Sequence, residues 1–80
     1  MGYFVTAENK LCAEAGDIEV NDTKTCRDAA EDFKKPYYGT EVAAEFPRGC
    51  YLDFFGVNFN LHIAGSRNSD ASQVCKPRGT

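Results

Sequence analysis

The stretch 46-FPRGCYLDFFGVNFNLH-62 decides how this chain of 80 residues folds. Successive side chains of an extended strand point to opposite faces. Read that way, Cys50, Leu52 and Phe54 share one face, and Tyr51, Asp53 and Phe55 share the other. After Gly56 the alternation resumes, with Val57, Phe59, Leu61 and Ile63 together and Asn58, Asn60 and His62 opposite them. Two alternating runs joined through Phe55–Gly56 predict a β-hairpin with one buried face. Leu52, Phe54, Val57, Phe59 and Leu61 are expected beneath a covering element. Upstream, Pro47 and Gly49 suit the second and fourth positions of a turn leading into the hairpin.

The covering element lies earlier in the chain. Asn21, Asp22 and Thr23 are all residues that cap helix starts. From Thr23 to Lys35 the apolar positions are Cys26, Ala29, Ala30 and Phe33, a helical stripe fit to lie on a core. Arg27, Asp28, Glu31, Asp32 and Lys35 take the wet side, and Pro36 ends the run because the residue before proline avoids helical angles. Around these, GYFVTA and DIEV read as short strands, and the residues near Cys12 as a turn. Residues 36–49 read as a loop of extended character, AGSRNSDAS as a polar surface loop, and QVCKPRGT as a last strand with a tail. The expected fold is α+β: a single helix packed on a short twisted antiparallel sheet of about four strands. It forms one domain over residues 1–80, with an ordered core from about residue 3 to residue 76.

A chain this small buries only about 60% of its unfolded surface, so covalent staples are expected. Cys12, Cys26, Cys50 and Cys75 are spaced 14, 24 and 25 residues apart. Structural zinc sites use closely spaced Cys or His pairs. None exists here and His62 is the only histidine, so neither a metal nor another cofactor is expected. Four scattered cysteines read as two disulfides with three possible connectivities, which implies an oxidising setting, secreted or cell-surface. The opening MGYFVTAENK has neither the basic start nor the long apolar run of a secretory leader, and Met1–Gly2 read as an added start. MGYFVT matches the N-myristoylation pattern in form, but a cytosolic lipid anchor conflicts with disulfides. No apolar run approaches the roughly 18 residues of a membrane span, so no membrane insertion is expected. The net charge of −3 with scattered Lys and Arg lacks the basic stripe that meets phosphates, which argues against nucleic acid.

The motifs P-R-G-C-Y at Pro47–Tyr51, V-x-F-N at Val57–Asn60, the Gly65–Ser66–Asn68 loop and V-C-K at Val74–Lys76 together resemble a small cysteine-rich extracellular repeat. Such repeats occur in surface proteins of algae, dinoflagellates and other marine eukaryotes. Cys12, Ile18, Cys26, Ala29, Ala30, Gly39, Leu52 and Gly56 extend the match, which covers roughly residues 10 to 76. Asn58 departs from it, since tyrosine is usual there. The arrangement is also similar to a reduced PAN/apple module, in which a helix crosses an antiparallel sheet, a disulfide ties it to a central strand, and another joins the chain ends. The resemblance, with Cys26 on the helix stripe and Cys50 at the hairpin start, favours Cys26–Cys50 and Cys12–Cys75. It implies an extracellular protein or glycan as partner and transfers no activity.

Candidate sites follow from the hairpin. Its outward face offers Tyr51, Asp53, Phe55, Asn58, Asn60 and His62, aromatic planes beside amides and a carboxylate, as sugar and protein contacts use. The plainer alternative is a solvated sheet face, or one covered by residues 36–46. Arg48 in Phe46–Cys50 could be presented to a trypsin-like protease by a rigid loop; the bland alternative is a turn feeding a strand. Asn21-Asp22-Thr23 is a glycosylation sequon as well as a helix cap. No GxSxG, HExxH or phosphate-loop motif occurs, and His62 has no titratable partner nearby in sequence. The expected function is noncatalytic extracellular recognition or adhesion, with protease inhibition through Arg48 or a purely structural module as alternatives.

Overall fold

The computed structural model describes residues 2–77. Helix α1 spans Thr23–Phe33, and Asp22 caps it: its carboxylate accepts the Thr25 N–H and the Thr25 hydroxyl, both at 2.9 Å. The helix ends two residues before the expected Lys35. Lys34 adopts a left-handed φ of 61°, and the N–H groups of Lys34 and Lys35 return to the Glu31 and Ala30 carbonyls, a closing geometry that leaves Pro36 just outside. Cys26, Ala29 and Ala30 are buried and Phe33 is partly so.

Among the described residues there are six strands, β1 (Phe4–Val5), β2 (Ile18–Glu19), β3 (Tyr37–Glu41), β4 (Pro47–Leu52), β5 (Val57–Gly65) and β6 (Ser72–Lys76). The sheet order is β1-β6-β4-β5-β3, with β2 also paired to β6. A 3-10 turn at Cys12–Ala15 holds the first cysteine. The expected α+β class with two disulfides is present, but the sheet is mixed, because β3 runs parallel to β5. Residues 37–41, expected as loop, form that strand. Its glycine and a register shift between Tyr37 and Thr40 break the alternation that would have marked it.

The hairpin pairs Leu52 with Val57, Tyr51 with Asn58, Cys50 with Phe59 and Gly49 with Asn60. Pro47 is not in a turn; it opens β4, is fully buried, and the turn lies upstream at Ala44–Phe46. Gly49 is required where it stands. Its φ is +76°, and a Cβ there would lie 2.6 Å from the Val20 carbonyl oxygen. That same oxygen accepts the Cys50 N–H at 3.1 Å, so the missing side chain lets the segment after β2 reach β4.

The core gathers Val20, Cys50, Val57, Phe59 and Val74 under Cys26, Ala29 and Ala30 of α1. Leu52 packs at its margin. Phe54 and Leu61, expected in that core, are 90% and 56% exposed, and Ile63 is 86% exposed. The physical reasons differ. Strand β4 stops at Leu52, so Phe54 sits in the connecting loop. Beyond Asn60, the register jumps from Gly49↔Asn60 to Pro47↔Gly65, and residues 61–64 bulge out of the alternation. Cys26–Cys50 staples α1 to β4 with a Cα–Cα distance of 5.3 Å, and Cys12–Cys75 joins the 3-10 turn to β6 at 5.8 Å. No free cysteine remains among the described residues, and none of their helices is long and apolar enough to cross a membrane.

Candidate functional site

The residues expected to share one outward face divide into three settings. Two of them are interior. Tyr51 and Asn60 are each only 2% exposed, because the segment between β3 and β4 folds over their face. Phe46 stacks on the Tyr51 ring at 5.0 Å, and the Tyr51 hydroxyl donates to the Glu41 carboxylate. Burial, that hydrogen bond and the nearby Glu41, Asp53 and Glu45 charges hold the phenol above its ordinary value. The Asn60 amide donates to the carbonyls of Ala43, Phe46 and Pro47 at 2.7, 3.0 and 3.0 Å. Its oxygen accepts the Ala43 and His62 N–H groups at 2.9 and 3.1 Å. Asn60 is thus the bracket that holds the overlying segment, not a surface contact.

The second setting is the far end of β5. His62 Nδ1 accepts the N–H groups of Ala64 and Gly65 at 3.1 and 2.8 Å, shaping the bulge. Arg48 is not on a loop. It lies in β4, its Nε 2.9 Å from Glu19 and its guanidinium donating to the Ile63 carbonyl at 3.1 Å. Asn21 is exposed immediately before the helix cap. A shallow depression brings Asn21, Arg48 and His62 to the same end of the sheet.

The third setting is the hairpin tip, where Asp53 and Phe55 lie, with half-buried Asn58 behind them. Asp53 Oδ1 accepts the Phe55 and Gly56 N–H groups at 2.9 and 3.1 Å, and its own N–H donates to the Gly56 carbonyl at 2.9 Å. This Asx turn engages Asp53 Oδ1 and the Asp53, Phe55 and Gly56 N–H groups and leaves the Phe54 and Phe55 rings outside. They are 90% and 69% exposed and meet edge to face at 5.3 Å.

Beside the tip runs a groove of about 530 Å³ walled by Phe46, Leu52, Phe54 and Phe55. Its remaining lining is the carboxylates of Glu8, Asp53 and Asp70, and Ser72. On the other side of the Phe46–Phe55 ridge a shallower depression adds Tyr38, Glu41, Tyr51 and Asn58. Among the described residues, neither lining contains a lysine, arginine or histidine. Among the described residues, no group of three or more His, Cys, Asp or Glu is arranged to hold a metal ion.

Sequence reasoning found Asp53 and Phe55 but assigned Phe54 to the core and passed over Phe46, Glu8 and Asp70. For Phe54 a signal was present: Asp53 and Gly56 bracket the two phenylalanines with turn chemistry. Glu8 and Asp70 reach the groove only through tertiary structure. No protein-family model, curated protein or solved structure matches this chain.

Proposed function

We propose that the protein is a noncatalytic extracellular recognition module that engages a protein or glycan partner through the hairpin-tip face. The observation that carries this reading is the pair Phe54–Phe55, two large apolar rings held outside a domain whose other hairpin aromatics are packed. Exposed aromatic patches rimmed by polar groups mark contact surfaces. Support for an extracellular setting comes from the two disulfides and from the resemblance to cysteine-rich surface repeats. Support for the absence of catalysis comes from the pairing of every cysteine and from the engagement of His62 Nδ1 by backbone. The inhibitor alternative has less behind it, since Arg48 is paired within a strand and tied to Glu19.

The test is a glycan array and an extracellular-protein array probed with wild type and with the double variant Phe54→Ser, Phe55→Ser. Binding that disappears in the variant, at unchanged melting temperature, is expected. Binding that survives the double change overturns the reading. A trypsin-like protease inhibited at micromolar concentration by wild type, and not by Arg48→Ala, would replace it with the inhibitor function.

A further inference from the structure

We propose that the groove beside the hairpin tip receives the guanidinium of an arginine presented by a protein partner. The inference rests on the recognition reading above and names the chemistry of what is recognised. Three features of the groove converge on a planar cation. Its walls are aromatic and apolar, from Phe46, Phe54, Phe55 and Leu52. Its polar lining is anionic apart from Ser72, and none of Glu8, Asp53 and Asp70 forms an ion pair among the described residues. Among the described residues no cationic side chain lines it, whereas Glu14, Glu19 and Asp28 elsewhere on the molecule do have Arg or Lys partners.

Phenyl faces attract cations, and carboxylates with free oxygens accept charge-assisted hydrogen bonds. Guanidinium uses both with a fixed planar geometry that an ammonium lacks: it stacks flat on an aromatic ring while its edge donates two parallel bonds to a carboxylate. Among the described residues, Asp53 commits one oxygen to its turn and has no partner for the other, while the Glu8 and Asp70 side chains accept no hydrogen bond. A quaternary ammonium would use the rings and leave the carboxylate acceptors unbonded. A neutral sugar would leave the charges uncompensated. At about 530 Å³ the groove lies in the range of a site that encloses one side chain or small ligand.

The probe is the capped peptide acetyl-Gly-Arg-Gly-amide, titrated into the oxidised protein and followed by amide shifts in the NMR spectrum. Its controls are the citrulline peptide, which keeps the shape without the charge, and tetramethylammonium. The expected result is saturable shifts at residues 53–56 and 70–72, with the arginine peptide at least fivefold tighter than either control. Doubling the salt should weaken it. In Glu8→Gln, Asp70→Asn, affinity should fall about tenfold or more, the loss of roughly one charge-assisted bond, with the melting temperature unchanged because both residues are exposed. Equal binding of arginine and citrulline, tighter binding of tetramethylammonium, or no shifts at the tip each overturn the proposal. If the arginine probe fails while a glycan or protein found on the arrays still depends on Phe54 and Phe55, recognition stands and the guanidinium assignment falls. If nothing depends on those two rings, both fall.

Discussion

Asn60 shows how much a single amide can hold. It satisfies three carbonyls and two N–H groups of three separated backbone segments from a buried position. Asn60→Ala should cost about 3 kcal/mol or more in urea titrations, because several buried groups lose their partner together. Asn60→Asp should be no better, since a carboxylate would face three carbonyl oxygens. Tyr51 makes a prediction in pH. Its folded-state phenol is held above the ordinary value of 10.0, first by burial and then by Glu41. A raised native pKa means that the contribution is complete below the unfolded value and is lost as pH rises past it. The penalty of Tyr51→Phe, measured by urea unfolding, should therefore be smaller at about pH 11 than at about pH 8. An equal penalty at both pH values would mean that the phenol is not held protonated by the fold.

At the level of elements, the hairpin separates two phenylalanines that its alternation had made equivalent. Phe59→Ala removes a core ring beneath α1 and should cost about 3–5 kcal/mol. Phe54→Ala removes a ring that touches mostly water and should change stability by less than about 0.5 kcal/mol. Comparable losses for the two would show that the tip is packed. Helix α1 depends on its cap: the Thr25 hydrogen bonds hold the Asp22 carboxyl below its ordinary value, so Asp22→Ala should cost about 1 kcal/mol. A lowered native pKa gives stability that is present above the unfolded value and lost as pH falls through the folded one, so the penalty should fade in acid. Helix, the inner hairpin pairs from Cys50 to Phe59, terminal strands and cysteine roles were legible because each rests on local periodicity, capping or pairing chemistry, whereas the burial expected of Phe54 and Leu61 failed where the strand ended or bulged. The parallel strand β3 and the cover over Tyr51 were not, since both arise when a segment without clean alternation folds back on a distant one. The groove was half legible for the same reason: Asp53 and Phe55 are local, whereas Glu8 and Asp70 arrive from other parts of the chain.

As a whole, the molecule is a thin core closed by two covalent links. The Cys26–Cys50 and Cys12–Cys75 separations of 24 and 63 residues correspond, in the chain-entropy account, to roughly 3.5 and 4 kcal/mol of restriction on the unfolded chain. Those figures are comparable with the whole net stability of a small domain, so reduction should unfold it near physiological temperature. Circular dichroism with and without reductant measures this, and alkylation of the native protein should find no free thiol. The position of the longer link also sets how the domain answers mechanical force. Strand β1 lies antiparallel against β6, Phe4 opposite Cys75, so the two ends of the chain leave from neighbouring places. Tension applied at those ends passes through the Cys12–Cys75 sulfurs and bypasses everything between them. In a pulling experiment the oxidised domain should give way only by peeling β1 and the residues outside that link, while α1, the hairpin and its exposed rings stay folded. Only after reduction should the full length pay out. Strung between neighbours under shear, the tip would keep its shape while the string around it stretched.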